Sequence, residues 1–320
     1  MFAFLNLFPC PVLAAVVHKD FSTPLWVGSA AVVAYVGVCF FLYTVQTKLI
    51  YRPLAQIIKT PADIGLAYED IWIPVGGSKD STGKVGKEPG EYLHAWWLPN
   101  PHSRRVMLFC HGNYGNISYN TDRIRFHYDQ GCSVLAFDYR GYGLSSGPAP
   151  NEANIFADAD AALNYLIAKR GISPENIVVS GHSIGGAVAI DVASHHPEID
   201  RLVVESSFTT MKDAVEAKAI YRFFPIKVLL TEPFDSLSKV KDLPMPVLYV
   251  HGDQDFDVPA VFSYQLYTAT PSPKQIFTAR GADHNMNTLA GDAYASVLQS
   301  FYRLNDRATT QHTEELQLAS

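Results

Sequence analysis

Gly181-His182-Ser183-Ile184-Gly185 joins two segments of opposite character, and that junction fixes much of what the chain can become. Before it runs Asn176-Ile177-Val178-Val179-Ser180, a β-branched stretch that reads as a buried strand. After it comes Gly186-Ala187-Val188-Ala189-Ile190-Asp191-Val192-Ala193, whose small residues suit a helix packed closely on a sheet. A serine at so sharp a strand-to-helix turn is held in a strained conformation. The residues two before and two after it collide unless they lack a Cβ, and glycine occupies both places. The turn lifts the Ser183 hydroxyl above the sheet. It also puts the Ile184 amide at a helix N-terminus, where negative charge is favoured. These are the requirements of a nucleophile elbow.

A second match supplies an internal control. Gly143-Leu144-Ser145-Ser146-Gly147 has the same glycine and serine spacing, but the strand before it ends several residues earlier. Pro148 and Pro150 follow at once and prevent a helix from leaving the turn. That match is expected to be a flexible loop, and Ser183 is the candidate nucleophile.

The chain around the elbow alternates in the βα manner. Strand-like runs fall at 68–75, 91–98, 105–110, 134–138, 176–179, 202–205, 247–250 and 275–279. Helical patterns separate most of the later ones, notably over 151–169, where Phe156, Ala159, Leu163 and Leu166 recur at helical spacing. Such a chain predicts an α/β fold with a mostly parallel sheet covered on both faces. The opening strands lack intervening helices and predict an antiparallel start, with 76–90 as an exposed hairpin loop. The stretch 208–243 is longer than a crossover needs, and its apolar clusters predict a small helical cap over the nucleophile.

Residues 25–45 carry no charge and are dense in Val, Ala, Phe and Leu. As a helix this run would measure about 32 Å, against a hydrocarbon core of about 30 Å, so one membrane span is expected. Trp26 and Tyr43 suit an aromatic belt, and Lys48, Arg52 and Lys59 on the following side favour a cytosolic catalytic domain. The sequon Asn116-Ile117-Ser118 lies beside the expected site, where a glycan would obstruct it, which leans the same way. Residues 1–17 are also apolar but are broken by Pro9 and Pro11; a signal-like region, an interfacial segment and a second insertion all fit them. The expected organisation is 1–48 as apolar segment and anchor, 49–305 as catalytic domain, and 306–320 as a polar tail.

A formal net charge of −6 without a basic block argues against a nucleic-acid partner. The four cysteines (Cys10, Cys39, Cys110 and Cys132) have neither a disulfide framework nor a metal-ligand spacing. Cys39, beside the membrane, could carry an acyl group, though burial suits it better.

A serine nucleophile needs a base, and the base needs an orienting acid. His284, in a loop after the last strand and before a C-terminal helix, completes the chain order serine, acid, histidine. His111, His182 and His251 flank glycine turns and suit structural roles. For the acid, Asp253, Asp255 and Asp257 alternate after the strand at 247–250, and Glu205 ends the strand before. The alternating aspartates do not make a calcium loop: Val258 stands where glycine is needed, and no glutamate closes the loop at Tyr264. The oxyanion hole is assigned to the backbone N–H groups of Ile184 and Asn113, the latter in the loop after the third strand.

These motifs together resemble the α/β-hydrolase superfamily over roughly 49–304. Within it the chain is similar to the membrane-anchored family of fungal bud-emergence protein homologues. The related animal α/β-hydrolase-domain proteins include a protein-depalmitoylating branch. The motifs that carry the likeness are His111-Gly112-Asn113, Phe137-Asp138-Tyr139-Arg140-Gly141-Tyr142-Gly143, the elbow, Glu205-Ser206-Ser207-Phe208, and His251-Gly252 followed by Asp255 and Val258-Pro259. The resemblance implies that Asp255 is the triad acid and His284 the base, with Asp283 standing where a glycine is common. It also implies a single N-terminal anchor in an endomembrane such as the endoplasmic reticulum.

The expected activity is a cofactor-free serine hydrolase acting on a lipophilic ester or thioester, with Tyr114, Phe208 and Phe223 lining an acyl pocket. The contrasting expectation is a membrane-tethered scaffold that keeps the fold and not the catalysis.

Overall fold

Continuous apolar runs become the buried strands of one eight-stranded sheet. In a computed structural model, residues 25–75, 90–286 and 291–303 are described. The segment 1–17, Cys10, Lys19, Asp20, the side chain of Trp26, the loop 76–89 and the polar tail lie outside the described residues. The strands are β1 (Glu69–Val75), β2 (Glu91–Leu98), β3 (Val106–Cys110), β4 (Ser133–Phe137), β5 (Ile177–His182), β6 (Arg201–Glu205), β7 (Val247–Gly252) and β8 (Lys274–Ala279). Their spatial order is β8-β7-β6-β5-β3-β4-β2-β1. β2 runs antiparallel to both β1 and β4, and every other pairing is parallel.

Every residue of β3 through β7 is buried, as a sheet covered on both faces requires. Side chains alternate between two cores. Leu108 of β3 joins the layer of α3 (Glu152–Asn164) and α4 (Ile184–His195), while Met107 and Phe109 join the layer of α2 (Thr121–Asp129) and α9 (Gly291–Tyr302). The edge strand β1 instead alternates exposed and buried residues, as an antiparallel edge can. The expected helix 151–169 is α-helical only to Asn164 and widens into a π-turn over Tyr165–Lys169, closed by Arg170 N–H donating to Tyr165 O.

Between β6 and β7 the chain forms a cap of short pieces: α5 (Met211–Glu216), a 3₁₀ turn (Ala219–Phe223), α6 (Ile226–Leu229) and α7 (Ser236–Lys239). α8 (Val261–Ala269) then leads to β8. Ahead of the sheet stands α1 (Leu25–Ile50), whose stretch Gly28–Ile50 is the one described helix long and apolar enough to cross a membrane, at mean hydropathy 1.9. Most of its side chains are exposed, with Val33 at 71% and Phe40 at 67%.

After α1 the chain is stitched to the loop that follows β3. Arg52–Pro53 pairs in parallel with Tyr114–Gly115, so the Arg52 and Leu54 N–H groups donate to the Asn113 and Gly115 carbonyls. Because β4 and β5 lie on opposite sides of β3, a crevice opens above the carboxyl ends of β3 and β5.

Candidate active site

Ser183 sits in that crevice, between the last residue of β5 and the first of α4. Its backbone holds φ 58° and ψ −121°, a region L-residues rarely adopt. A Cβ on Gly181 would fall 1.9 Å from the Gly185 carbonyl oxygen, and one on Gly185 would fall 2.1 Å from Cys110 O. Both positions therefore exclude any side chain. Three hydrogen bonds hold the bend: Ser183 N–H to Glu205 O (2.8 Å), and Gly186 N–H and Ser207 Oγ–H to Ser183 O (2.9 Å each).

The loop after β3 runs alongside. A Cβ on Gly112 would stand 3.6 Å from Ser183 Cβ. Asn113 is anchored through its other polar groups: its carbonyl accepts from Arg52 N–H and Tyr142 Oη–H, each at 2.9 Å, and its Nδ2 donates to Ile50 O at 2.9 Å. Its own N–H has no acceptor among the described residues. The Ile184 N–H, first in α4, has no intrahelical acceptor either. Two N–H groups are thus left beside the serine.

The acid and histidine come from loops after β7 and β8. Asp255 Oδ2 accepts from His284 Nδ1 at 2.7 Å, while its Oδ1 accepts from the N–H groups of Asp257 (2.9 Å) and Val258 (2.8 Å). His251 Nε2 lies 3.1 Å from the same Oδ2. Burial alone would raise the Asp255 carboxyl. Hydrogen bonds from His251 and His284, the charge of His284 and the Val258 amide outweigh it and hold the group well below the usual carboxylate range. With Nδ1 on Asp255, the His284 ring keeps Nε2 without a hydrogen bond among the described residues. The Ser183 hydroxyl makes no hydrogen bond among the described residues, so the acid–histidine contact is formed and the serine–histidine contact is open.

The other candidates are engaged elsewhere. Asp253 accepts from Gly281 N–H at 2.6 Å, and Asp257 lies 3.6 Å from Lys218 Nζ. Glu205 is buried in a separate cluster, bonded to Arg123 and Tyr294 at 2.7 Å and lying 3.2 Å from His127. Asp283 accepts from Asn285 N–H at 2.9 Å and shapes the loop that carries His284. Ser145 and Ser146 of the second serine motif bond the backbone of β2, so that loop is pinned rather than flexible. Asn116 of the sequon is fully buried and bonded to Leu54 O and Gln56 O; the folded chain has no room for a glycan there, and the sequon says nothing about topology.

A cavity of about 430 Å³ lies over Ser183. Asn113 and Ile184 form its floor, Phe208, Met211 and Ile226 its cap side. Leu42, Gln46 and Leu49 of α1 complete the wall. Of the three aromatic residues expected to line an acyl pocket, Phe208 lines this cavity, and Tyr114 and Phe223 do not. The Tyr114 ring is drawn to the Arg52 guanidinium (5.4 Å) and to Tyr119, and Phe223 points outward at 66% exposure.

The comparisons with known proteins bear on this architecture. The profile of the alpha/beta hydrolase fold matches residues 105–226. An uncharacterised protein of Mycobacterium tuberculosis is 33% identical over 260 residues, covering 80% of this chain and 86% of that protein. Protein bem46 of Schizosaccharomyces pombe is 31% identical over 274 residues, covering 83% and 88%. This chain belongs to the α/β-hydrolase family. Within that family it groups with the fungal bud-emergence homologues, as its motifs imply. Among solved structures, the Pyrococcus furiosus esterase Pf2001 matches with a TM-score of 0.65, covering 79% of this chain and 97% of its own, at 21% identity. That likeness carries the α/β-hydrolase fold and nothing finer.

Two side chains at this site were not legible as part of it. The rings of His182 and His284 lie 4.7 Å apart, and His182 Nε2–H donates to His284 O at 2.9 Å. Burial, then the charges of Arg123 and His284, push His182 well below the ordinary histidine range, so it is neutral. His251, bonded to Ser263 Oγ (2.7 Å) and Val258 O (2.8 Å), braces Asp255 from behind. The glycine turns beside both histidines signalled structure, and the partners lie a hundred residues away for His182.

Proposed function

We propose that this α/β-hydrolase is a membrane-anchored serine hydrolase that cleaves carboxylester or thioester bonds of a lipophilic acyl substrate through an acyl-enzyme. The observation that carries this reading is the Asp255–His284 hydrogen bond standing at the same carboxyl end of the parallel sheet as the strained Ser183 elbow. Ser183 Oγ attacks the carbonyl carbon while His284 Nε2 accepts its proton. Asp255 holds the imidazole in the tautomer that leaves Nε2 basic and stabilises the imidazolium. The N–H groups of Asn113 and Ile184 receive the oxyanion. Collapse of the tetrahedral adduct breaks the bond to the leaving alcohol or thiol, which takes the proton from His284. Water, activated by the same histidine, then releases the acid and restores the serine.

Support for the anchor comes from the apolar surface of Gly28–Ile50. In this reading Lys48, Arg52 and Lys59 mark the cytosolic side of an endomembrane. Support for a lipophilic acyl group comes from the largely apolar cavity over Ser183. p-Nitrophenyl esters of increasing chain length test the reading. Longer acyl chains should be preferred over acetyl, and Ser183→Ala should lower turnover by about 10⁶-fold. Full activity in Ser183→Ala, or a preference for acetyl, would contradict it.

A further inference from the structure

The cavity over Ser183 is not closed by the α/β core and cap alone. One wall belongs to α1, through Leu42, Gln46 and Leu49. Its attachment to the cap is built in polar bonds as well as apolar contact. Gln46 Nε2 donates to Leu229 O at 3.0 Å, Gln46 Oε1 accepts from Thr231 N–H at 2.8 Å, and Tyr35 Oη donates to Phe223 O at 2.8 Å. The Tyr35 ring stacks on Phe224 at 5.9 Å and 2°. The C-terminal end of α1 is bonded to the site itself, through Asn113 Nδ2 to Ile50 O.

The depth of these contacts matters. Lys48 is the first charge after Leu25, and Tyr35 lies thirteen residues before it, about 20 Å along the helix at 1.5 Å per residue. In a chain anchored by this helix, residues 223–224 of the cap lie at the level of the hydrocarbon. The apolar side chains there suit that medium, with Phe223 66% exposed, Val228 78% and Ile220 51%. Arg222 and Lys227, exposed between them, require that their charged heads reach the headgroup layer. Tyr35 also supplies the Phe223 carbonyl with a donor that hydrocarbon could not provide. Ile220 and Leu49, both exposed, belong to the cavity wall, and Leu49 directly follows Lys48, so the rim of the pocket opens where the hydrocarbon meets the headgroups.

We propose that α1 is part of the substrate site: the acyl chain of a bilayer-dissolved ester or thioester enters between α1 and the cap and lies against Leu42 and Leu49, which set how long a chain is accepted. This rests on the serine-hydrolase reading and specifies its substrate as one drawn from the membrane rather than from water. The helix then has two roles, tether and specificity wall.

The test uses the full chain in lipid nanodiscs, with p-nitrophenyl acetate and p-nitrophenyl decanoate. Leu42→Trp fills the wall, and Phe40→Trp places the same indole on the outward face of α1, away from the cavity. Each methylene excluded from an apolar site costs roughly fourfold in binding, so the decanoate-to-acetate ratio of kcat/KM should fall by about tenfold or more in Leu42→Trp. It should stay at the wild-type value in Phe40→Trp. Labelling of Ser183 by a fluorophosphonate reports whether each variant keeps a folded site. If Leu42→Trp does not label, Leu42→Ala decides, because a longer pocket raises the ratio. An unchanged ratio in a labelled Leu42 variant, or an equal fall in Phe40→Trp, overturns the proposal. Those outcomes leave acetyl hydrolysis at Ser183 standing; wild-type protein that neither labels nor hydrolyses any ester overturns the hydrolase reading along with it.

Discussion

Ser183 carries backbone strain of a kind worth about 1–3 kcal/mol, and the surrounding hydrogen bonds and the two bare glycines hold it there. That strain separates stability from catalysis. Ser183→Gly relieves the conformation and Ser183→Ala does not, so urea denaturation should find the glycine variant more stable by about 1 kcal/mol. Both should be inactive. Equal stabilities would show that the bend is not strained. Asp255→Asn keeps the shape of the acid but not its charge, and should lower kcat by about 10⁴-fold, measured on a soluble p-nitrophenyl ester. The elbow was legible because its constraint is local: a serine between two positions that tolerate no Cβ. The Asp255–His284 pairing was legible only through the family pattern, since three alternating aspartates look alike until their partners are known. Tyr114 and Phe223 were misplaced because aromatic character does not say which way a ring turns. Arg52 and the outer surface decide that, and neither is near in sequence to the serine.

The loops after β7 and β8 have to approach closely for Asp255 to reach His284. A Cβ on Gly252 would lie 2.3 Å from Ala282 O, and Gln254 N–H donates to the same carbonyl at 3.0 Å. Gly252→Ala should therefore spread the two loops, lower stability by about 1–3 kcal/mol in thermal denaturation, and reduce ester turnover. Wild-type stability and turnover in that variant would show that the approach is not needed. At this scale the strands were legible within one or two residues, because buried parallel strands are continuous apolar runs; the exception is the strand expected over 176–179, which runs on to His182. The end of the 151–169 helix was not, as nothing in its spacing announces the π-turn at Tyr165–Lys169. The cap was legible as an insertion but not as a wall shared with α1, which depends on contacts such as Gln46 to Leu229 across 183 positions.

Across the molecule, two buried carboxylates link stability to pH. For Glu205 burial would raise the carboxyl, but Arg123 and His127 hold it well below the usual carboxylate range, as His251 and His284 do for Asp255. Groups depressed in the folded state add stability that is fully present above their unfolded pKa of about 4 and is lost as pH falls through the folded one. The melting temperature should thus drop steeply below about pH 4. Glu205→Gln leaves Arg123 without its buried partner and should cost about 3–5 kcal/mol near neutrality, a deficit that shrinks as acid protonates the wild-type group. A pH-independent deficit in thermal melts would place the effect outside ionisation. The central claim, that the folded chain presents one activated serine, has a direct measurement. Full-length protein incubated with a fluorophosphonate and analysed by peptide mass spectrometry should gain a single covalent adduct on Ser183. That adduct should be absent in Ser183→Ala and slow to form in His284→Ala. Folded wild-type protein that remains unmodified, or that carries the adduct on Ser145, would contradict the account.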